Sequence, residues 1–127
     1  MSSKILLVDD DLDDLEIYKH LFGDIDPHIA VSSYSNPRDA LEKLETAARL
    51  PDLVILDFNM PQMNGLDFLK VVRENPTLAS LPVTVITTSC NPRDVEKLLR
   101  LGAECHQKPG GLGEFRALIE KLIRQQG

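Results

Sequence analysis

Residues 5–10 read ILLVDD and residues 53–57 read LVILD, and each stretch is an unbroken apolar run that ends in acidic residues. Continuous apolar runs of this length are typical of parallel strands that are buried on both faces. In an open α/β sheet, ligands bind beyond the carboxyl ends of the strands, where the strand order reverses. We therefore expect Asp9, Asp10 and Asp57 to share one crevice.

Three carboxylates in one crevice repel one another, and no basic residue adjoins them in the sequence. A hard cation that prefers oxygen ligands, such as Mg²⁺, would relieve this repulsion. A single Asp after a strand is explained equally well as a turn residue or a helix N-cap. The occurrence of all three acids at strand ends favours a cation site.

The composition is that of a soluble globular protein, with 127 residues, 43% hydrophobic and 27% charged. No apolar run is long enough to cross a bilayer, and residues 1–4 lead directly into a strand. We therefore expect a cytoplasmic protein without signal peptide or membrane anchor. The net charge of -6 argues against non-specific nucleic-acid binding. Cys90 and Cys105 are too few for a disulfide framework and are expected to be free thiols.

Strand and helix patterns alternate along the chain without a linker or a repeat. The apolar runs predict strands at residues 5–8, 29–34, 53–57, 83–86 and 103–107. The chain is therefore predicted to be an α/β protein of five β-α units. Right-handed crossovers make this a doubly wound parallel sheet.

Local signals predict where the intervening helices begin and end. Asn36 and Asn91 each precede a proline and are predicted N-caps. Gly23 and Gly102 are predicted helix stops. The residues expected to face inward on these helices are Leu15, Tyr18, Leu21 and Phe22, then Ala40, Leu41, Leu44 and Ala48, then Leu66, Leu69 and Val72, then Val95, Leu98 and Leu99, and finally Phe115, Leu118, Ile119, Leu122 and Ile123.

Four motifs occur in a fixed order: LLVDD at 6–10, LDFNMPQMNG at 56–65, ITTS at 86–89 and KP at 108–109. This set resembles the receiver domain of two-component response regulators. The resemblance implies a flavodoxin-like fold with strand order 2-1-3-4-5. It covers the chain from Lys4 to the last helix and implies one receiver domain over 1–127 without a separate output domain. Such chains are similar to chemotaxis regulators and to regulators paired with bacterial phytochromes.

The resemblance also implies roles for the acidic residues. Asp57 would be the phosphoacceptor, which attacks a phosphohistidine of a kinase to form an aspartyl phosphate. Asp10 and Asp57 would bind Mg²⁺ directly, and Asp9 would act through a water or at a longer distance. Asn59 would contribute its backbone carbonyl and not its side chain.

Two further residues receive roles from the same resemblance. Lys108 would pair with Asp57 and then with a phosphoryl oxygen. Thr87 would hydrogen-bond the phosphoryl group and shift on activation. The Lys108–Pro109 bond is cis in the family and is expected to be cis here. Asn64 and Gly65 are interpreted as a turn.

The chain departs from the receiver pattern before Lys108. Receivers commonly have five residues between a Gly-Ala pair and the lysine, whereas here four follow Ala103. The position of the usual aromatic switch residue holds Cys105, which we interpret as a small buried hydrophobe. His106 is interpreted as an edge-strand packing residue, and Gly110 begins a flexible Gly-Gly pair after the Lys-Pro motif.

The function that these features favour is a phosphorylation-dependent switch that acts through protein–protein contacts. The expected partner is a sensor histidine kinase, with a phytochrome-type kinase among the candidates. We expect no nucleic-acid or membrane partner, and a monomer or weak homodimer. A phosphorelay intermediate is the alternative. A Mg²⁺-dependent phosphohydrolase is disfavoured because Asn59, and not a second carboxylate, stands two residues after Asp57. A receiver-like scaffold that no longer takes phosphate is disfavoured by the complete acidic set.

Overall fold

The computed structural model describes residues 3–88 and 91–126. Strands and helices alternate through this part of the chain, as the sequence predicts. The strands are β1 (Lys4–Val8), β2 (Ala30–Tyr34), β3 (Leu53–Asp57), β4 (Val83–Thr87) and β5 (Glu104–Gln107). The helices are α1 (Leu12–Ile25), α2 (Pro37–Thr46), α3 (Gly65–Glu74), α4 (Pro92–Arg100) and α5 (Leu112–Gln126).

The five strands form one parallel sheet in the order β2-β1-β3-β4-β5, which confirms the predicted topology. Every residue of β3 and β4 is buried, which explains why these strands are continuous apolar runs. The chain passes from β1 outward to β2 and then returns to β3 on the other side of β1. The reversal of strand order therefore lies between β1 and β3.

Each face of the sheet carries a separate hydrophobic cluster. Alternate residues of the strands, such as Ile5, Leu7 and Ile55, pack with α1 and α5. The intervening strand residues pack with α2, α3 and α4. On the first face, the rings of Tyr18 and Phe115 meet edge to face with centroids 5.3 Å apart. These two clusters hold the helices against the sheet and thereby position the loops at its carboxyl edge.

Side-chain caps determine where the helices begin. Asn36 accepts a hydrogen bond from the N–H of Arg38 at 2.8 Å, and Asn91 caps α4 through Asp94 at 2.9 Å. Asn64, which the sequence suggested to be part of a turn, is the N-cap of α3 and forms a capping box with Asp67. The next residue must be small, because a Cβ on Gly65 would lie 3.0 Å from the Cα of Phe58.

Three predictions about the helices are wrong. Helix α1 does not stop at Gly23 but continues to Ile25, which packs against the cluster on the α1 face. Burial of this last turn outweighs the weak helix propensity of glycine. Ala48 lies beyond the end of α2. Leu99 is 56% exposed because α4 meets the core through the stripe that contains the fully buried Leu98.

The Lys108–Pro109 peptide bond is also not as expected. The described residues contain no cis peptide bond, so this bond is trans. The trans isomer is the ordinary preference of an X–Pro bond. Ser89 and Cys90, which the sequence analysis included, lie outside the described residues.

Within the described ranges, no helix combines the length and apolar character that crossing a bilayer would require.

Candidate functional site

The three predicted acids meet at the carboxyl edge of the sheet. Strands β1 and β3 are neighbours in parallel register, with Val8 opposite Leu56, so the residues that follow them emerge side by side. Oxygens of Asp9, Asp10 and Asp57 all lie within 4.8 Å of one another. Asp9 and Asp57 are buried, whereas Asp10 is exposed.

The loop after β1 holds the Asp9 carboxylate in place. Asp9 Oδ1 accepts a hydrogen bond from the N–H of Asp11 at 2.9 Å. Asp11 in turn is the N-cap of α1 and accepts hydrogen bonds from the N–H groups of Asp13 and Asp14 at 2.9 and 3.2 Å. The start of α1 and the acidic group are therefore built as one unit.

The described residues bring one cation into contact with this acidic group. The N–H of Lys108 donates to the carbonyl of Thr87 at 2.8 Å, so the short segment before Lys108 still delivers this residue to the site. Its Nζ lies 2.5 Å from Asp14 Oδ2, 3.1 Å from Asp9 Oδ2 and 4.0 Å from Asp57 Oδ1. The predicted partner of Lys108 was Asp57, but Asp14 and Asp9 are closer.

Sequence reasoning did not assign Asp14 to the site. A signal for its role was present in the helical period. Asp14 precedes Tyr18 by four residues, and Tyr18 is buried, so both side chains lie on the face of α1 that meets the sheet. Asp13 is adjacent in sequence but exposed.

Burial and mutual repulsion change the ionisation of the buried acids when no metal is bound. Desolvation, followed by the charge of Asp9, raises the pKa of Asp57 to about 7, although Lys108 opposes the shift. Desolvation also raises the pKa of Asp9. Burial acts to lower the pKa of Lys108, but the hydrogen bond to Asp14 and the charges of Asp9 and Asp57 outweigh it, so the net shift is upward.

A hydroxyl pair lies on the other side of the site. The Oγ1 of Thr87 donates to Asn59 Oδ1 at 2.9 Å, and the Oγ1 of Thr88 donates to the same oxygen at 3.3 Å. The N–H of Asn59 donates to Asp57 Oδ1 at 3.3 Å. Asn59 therefore links the loop after β3 to the end of β4 through its side chain, a contact that the sequence analysis did not predict.

The donor set fits a hard divalent cation. It consists of carboxylate oxygens without a Cys or His in the group, which is the chemistry that Mg²⁺ prefers. The exposed Asp10 leaves the group accessible from solvent. Desolvation, and after it the charge of Asp9, raises the pKa of Asp57, and the positive charge of a bound cation would oppose both effects.

The family model described as response regulator receiver domain matches residues 5–120 of the chain. The chain belongs to this family. Receiver domains are phosphorylated by histidine kinases, typically bind Mg²⁺ at an acidic pocket and have a fold typical of non-catalytic switches.

Solved structures of receiver proteins share the fold over almost the whole chain. The phosphorylated cyanobacterial phytochrome response regulator RcpA superposes with a TM-score of 0.88 at 25% identity, over 98% of this chain and 93% of RcpA. The chemotaxis protein CheY4 of Vibrio cholerae gives a TM-score of 0.80 at 29% identity, over 98% of each chain.

A curated relative is longer than this receiver domain. The cyclic di-GMP phosphodiesterase response regulator RpfG of Xanthomonas campestris is 37% identical over 125 residues. The match covers 96% of this chain but 32% of RpfG. The chain thus spans about a third of that relative, and the phosphodiesterase activity in the name belongs to RpfG.

This receiver domain has an unusual fifth strand. Cys105 is half-buried and packs against the cluster on the α4 face, in agreement with its interpretation as a small apolar residue. His106 has 18% of its side chain exposed, and its Nε2 lies 3.7 Å from Glu104 Oε1. No hydrogen-bond partner for this Nε2 occurs among the described residues. The N–H of Gly110 donates to Glu114 Oε2 at 2.9 Å, which ties the following loop to α5.

Proposed function

We propose that this chain is a phosphorylation-dependent switch, in which Asp57 accepts a phosphoryl group from a sensor histidine kinase in a Mg²⁺-dependent reaction. The observation that carries the proposal is the group of Asp9, Asp10 and Asp57 at the strand-order reversal, with the Nζ of Lys108 beside it. In a chain of the receiver family, the presence of all these side chains in one crevice supports the proposed phosphoryl transfer.

The proposed reaction is a displacement at phosphorus. A carboxylate oxygen of Asp57 forms a bond to the phosphorus of a phosphohistidine, and the bond from phosphorus to the imidazole nitrogen breaks. The bonding electrons return to the imidazole, which takes up a proton. Positioning and neutralisation of charge contribute more to such a transfer than acid–base chemistry does. The ionised form of Asp57 is the nucleophile, so a condition that lowers its pKa favours the reaction.

Asp10 and Asp57 would hold Mg²⁺, with Asp9 at a longer distance and Asn59 through its backbone carbonyl. When bound, this ion supplies positive charge that offsets the carboxylates and the incoming phosphoryl oxygens. Two observations support this fit. The side-chain ligands are all carboxylate oxygens, and Asp10 is exposed, so a cation can reach the group from solvent.

Lys108 and Thr87 would contact the phosphoryl oxygens after transfer. Both residues already reach the site through the backbone hydrogen bond from Lys108 to Thr87. In the resting protein the Thr87 hydroxyl is bonded to Asn59 at 2.9 Å, so engagement of phosphate requires this bond to break. The exchange of partner by Thr87 would be the first local change on activation.

The output of the switch would be contacts that the receiver domain makes with other proteins. RcpA, a phytochrome response regulator, and CheY4, a chemotaxis protein, support such a signalling role. The name of RcpA makes a phytochrome-type kinase the first candidate for the input. A relay role, in which Asp57 passes the phosphoryl group to another histidine, uses the same chemistry.

A phosphohydrolase that turns over many substrates is the competing class of function. It would require an acid–base group two residues after the nucleophile, where this chain has Asn59. The side-chain oxygen of Asn59 is committed to the hydroxyls of Thr87 and Thr88. We therefore expect slow loss of phosphate and not rapid turnover.

The test is incubation of the purified chain with acetyl phosphate and Mg²⁺, followed by mass spectrometry and a phosphate-release assay. A switch retains about one acid-labile phosphate per chain on Asp57, whereas an enzyme releases many equivalents and a scaffold takes none. Asp57→Asn removes the nucleophile and should abolish labelling. Asp39→Asn, at an exposed acid on α2, is the matched control and should be labelled like the wild type. Absence of phosphate on wild-type Asp57 would contradict the proposal.

A further inference from the structure

Lys108 is closer to Asp14 than to the proposed phosphoacceptor. The distance from Nζ to Asp14 Oδ2 is 2.5 Å, whereas the distance to Asp57 Oδ1 is 4.0 Å. An N–H···O hydrogen bond spans about 2.7–3.2 Å, so the 4.0 Å contact of Lys108 with Asp57 is electrostatic only. The ammonium is hydrogen-bonded instead to Asp9, at 3.1 Å, and paired with Asp14.

The ion pair between Lys108 and Asp14 is largely shielded from solvent. Side-chain exposure is 12% for Lys108 and 17% for Asp14. Salt and water weaken such a pair less than they weaken a pair on the surface. The backbone of each residue is also fixed, because Asp14 lies in the first turn of α1 and Lys108 is bonded to Thr87. The contact is therefore an organised feature of the fold.

We infer that Asp14 is a positioning residue that holds the Lys108 ammonium away from Asp57 in the unphosphorylated protein. This inference rests on the proposed function, in which Lys108 binds a phosphoryl oxygen on Asp57. Formation of the phosphorylated state then requires Lys108 to leave Asp14. The strength of the pair sets how readily the phosphorylated state is populated.

A simpler role for Asp14 is a favourable interaction with the positive end of the α1 dipole. Asp13 occupies the same helical turn and has the same charge, but it is exposed, and the ion pairs of Lys108 among the described residues are with Asp9, Asp14 and Asp57. A helix-dipole role predicts the same effect for both residues. A role in holding Lys108 predicts an effect for Asp14 alone.

The test compares Asp14→Asn with the control Asp13→Asn, each in the full chain with saturating Mg²⁺. Affinity for beryllium trifluoride, a mimic of the phosphoryl group, is measured by calorimetry and fluorine NMR. Asn keeps the shape of Asp but cannot form the ion pair, so Asp14→Asn should bind the mimic about fivefold more tightly than wild type. Asp13→Asn should bind it as wild type does. Asp14→Glu, which restores the charge, should return the affinity toward that of wild type.

A second readout follows Lys108 directly. Nitrogen NMR of the lysine ammonium groups should show the Lys108 signal shift when beryllium trifluoride is added to wild type. The signal of free Asp14→Asn should already lie nearer the bound position. This measurement on the wild type does not depend on how well a variant folds. If the Lys108 ammonium stayed paired with Asp14 after beryllium trifluoride is added, the inference would be overturned.

The outcomes separate the two proposals. A wild type that does not bind the mimic at Asp57 would overturn the proposed function and this inference together. A wild type that binds it, with equal affinities for Asp14→Asn and Asp13→Asn, would overturn the role of Asp14 alone. Weaker binding by Asp14→Asn would also overturn it, because Asp14 would then assist engagement of the phosphoryl group.

Discussion

Two cations of this protein, Arg73 and Lys108, are partly withdrawn from solvent, but their partners differ in kind. Arg73, near the end of α3, donates to three backbone carbonyls, those of Leu101 at 2.6 Å, Leu81 at 2.7 Å and Ala79 at 3.1 Å. Lys108 instead faces three carboxylates at 2.5, 3.1 and 4.0 Å.

The difference separates a structural cation from one that can change partners. Backbone carbonyls are neutral and fixed by the fold, so the guanidinium of Arg73 has a single arrangement, and desolvation lowers its pKa. Several carboxylates compete for one ammonium, and a phosphoryl group added to one carboxylate would change which partner the ammonium favours. The same type of charge therefore holds loops together in one region and, in the proposed function, changes partner in the other.

The largest expected effect on stability is at the structural cation. Arg73→Ala leaves three carbonyls without their donor and should lower the free energy of unfolding by about 3 kcal/mol. The loss should be the same with and without Mg²⁺, because the acidic site does not contact Arg73. Urea denaturation of both forms measures it. Arg93→Ala, at an exposed position of α4, is the control and should change stability by less than about 0.5 kcal/mol. If Mg²⁺ restored the stability of Arg73→Ala, the distinction between the Arg73 region and the acidic site would be wrong.

The next effect is the pH dependence of the acidic site. The pKa of Asp57 is about 7 in the folded protein against an ordinary value of 3.8. At a pH between these two pKa values, Asp57 is ionised in the unfolded chain but still protonated in the folded protein. The free energy of unfolding therefore falls as the pH rises toward and through about 7. Asp57→Asn removes this ionisation.

Metal-free Asp57→Asn should therefore be more stable than wild type by about 2 kcal/mol near pH 8 and by much less near pH 4. Thermal denaturation in a chelator at both pH values measures the difference. Added Mg²⁺ should raise the melting temperature of wild type far more than that of the variant. A stability gain that did not change with pH would show that ionisation of Asp57 is not the cause.

Mg²⁺ affinity tests the proposed ligand set. Asp10→Asn removes a charged ligand and should weaken Mg²⁺ binding by about tenfold, measured by calorimetry at neutral pH. Asp13→Asn is a control for the general effect of a nearby exposed negative charge and should weaken binding by about twofold or less. Equal affinity of Asp10→Asn and wild type would exclude Asp10 as a ligand.

The smallest effect on stability is expected for substitution of Lys108. Lys108→Met keeps the aliphatic stem but leaves the carboxylates without their ammonium, so metal-free stability near pH 8 should fall by about 1 kcal/mol. Mg²⁺ should restore most of the loss, unlike the loss in Arg73→Ala, since it replaces the missing positive charge. Lys70→Met, at an exposed position of α3, serves as the control in the same denaturation series.

The apolar runs predicted five parallel strands and the meeting of three acids, and the resemblance to receiver domains implied the order of the strands. Buried parallel strands are continuous apolar runs, and residues after Val8 and Leu56 emerge side by side once β1 and β3 are neighbours. The hydrogen bond from Thr87 to Asn59 depends on the conformation of the loop after β3, which no periodicity encodes. The ion pair between Lys108 and Asp14 depends on how closely α1 and the loop after β5 approach each other, and this distance is determined by tertiary packing.

Two wrong predictions have the same origin. Gly23 is compatible with a helix end, but the apolar Ile25 beyond it has a core to pack against, so α1 continues. Leu99 lies beside the buried Leu98 in sequence, and a helix of nine residues that meets the core through one stripe leaves it exposed. In both cases packing, which acts between elements, overrides a preference that is local to one element.

The most direct test of the account is a crystal structure of the wild type with Mg²⁺ and beryllium trifluoride. We predict the adduct on a carboxylate oxygen of Asp57, Mg²⁺ bound by Asp10 and Asp57, and the Nζ of Lys108 within hydrogen-bond distance of a fluorine and no longer paired with Asp14. An adduct on another residue, or Lys108 still 2.5 Å from Asp14 beside an occupied Asp57, would contradict the account.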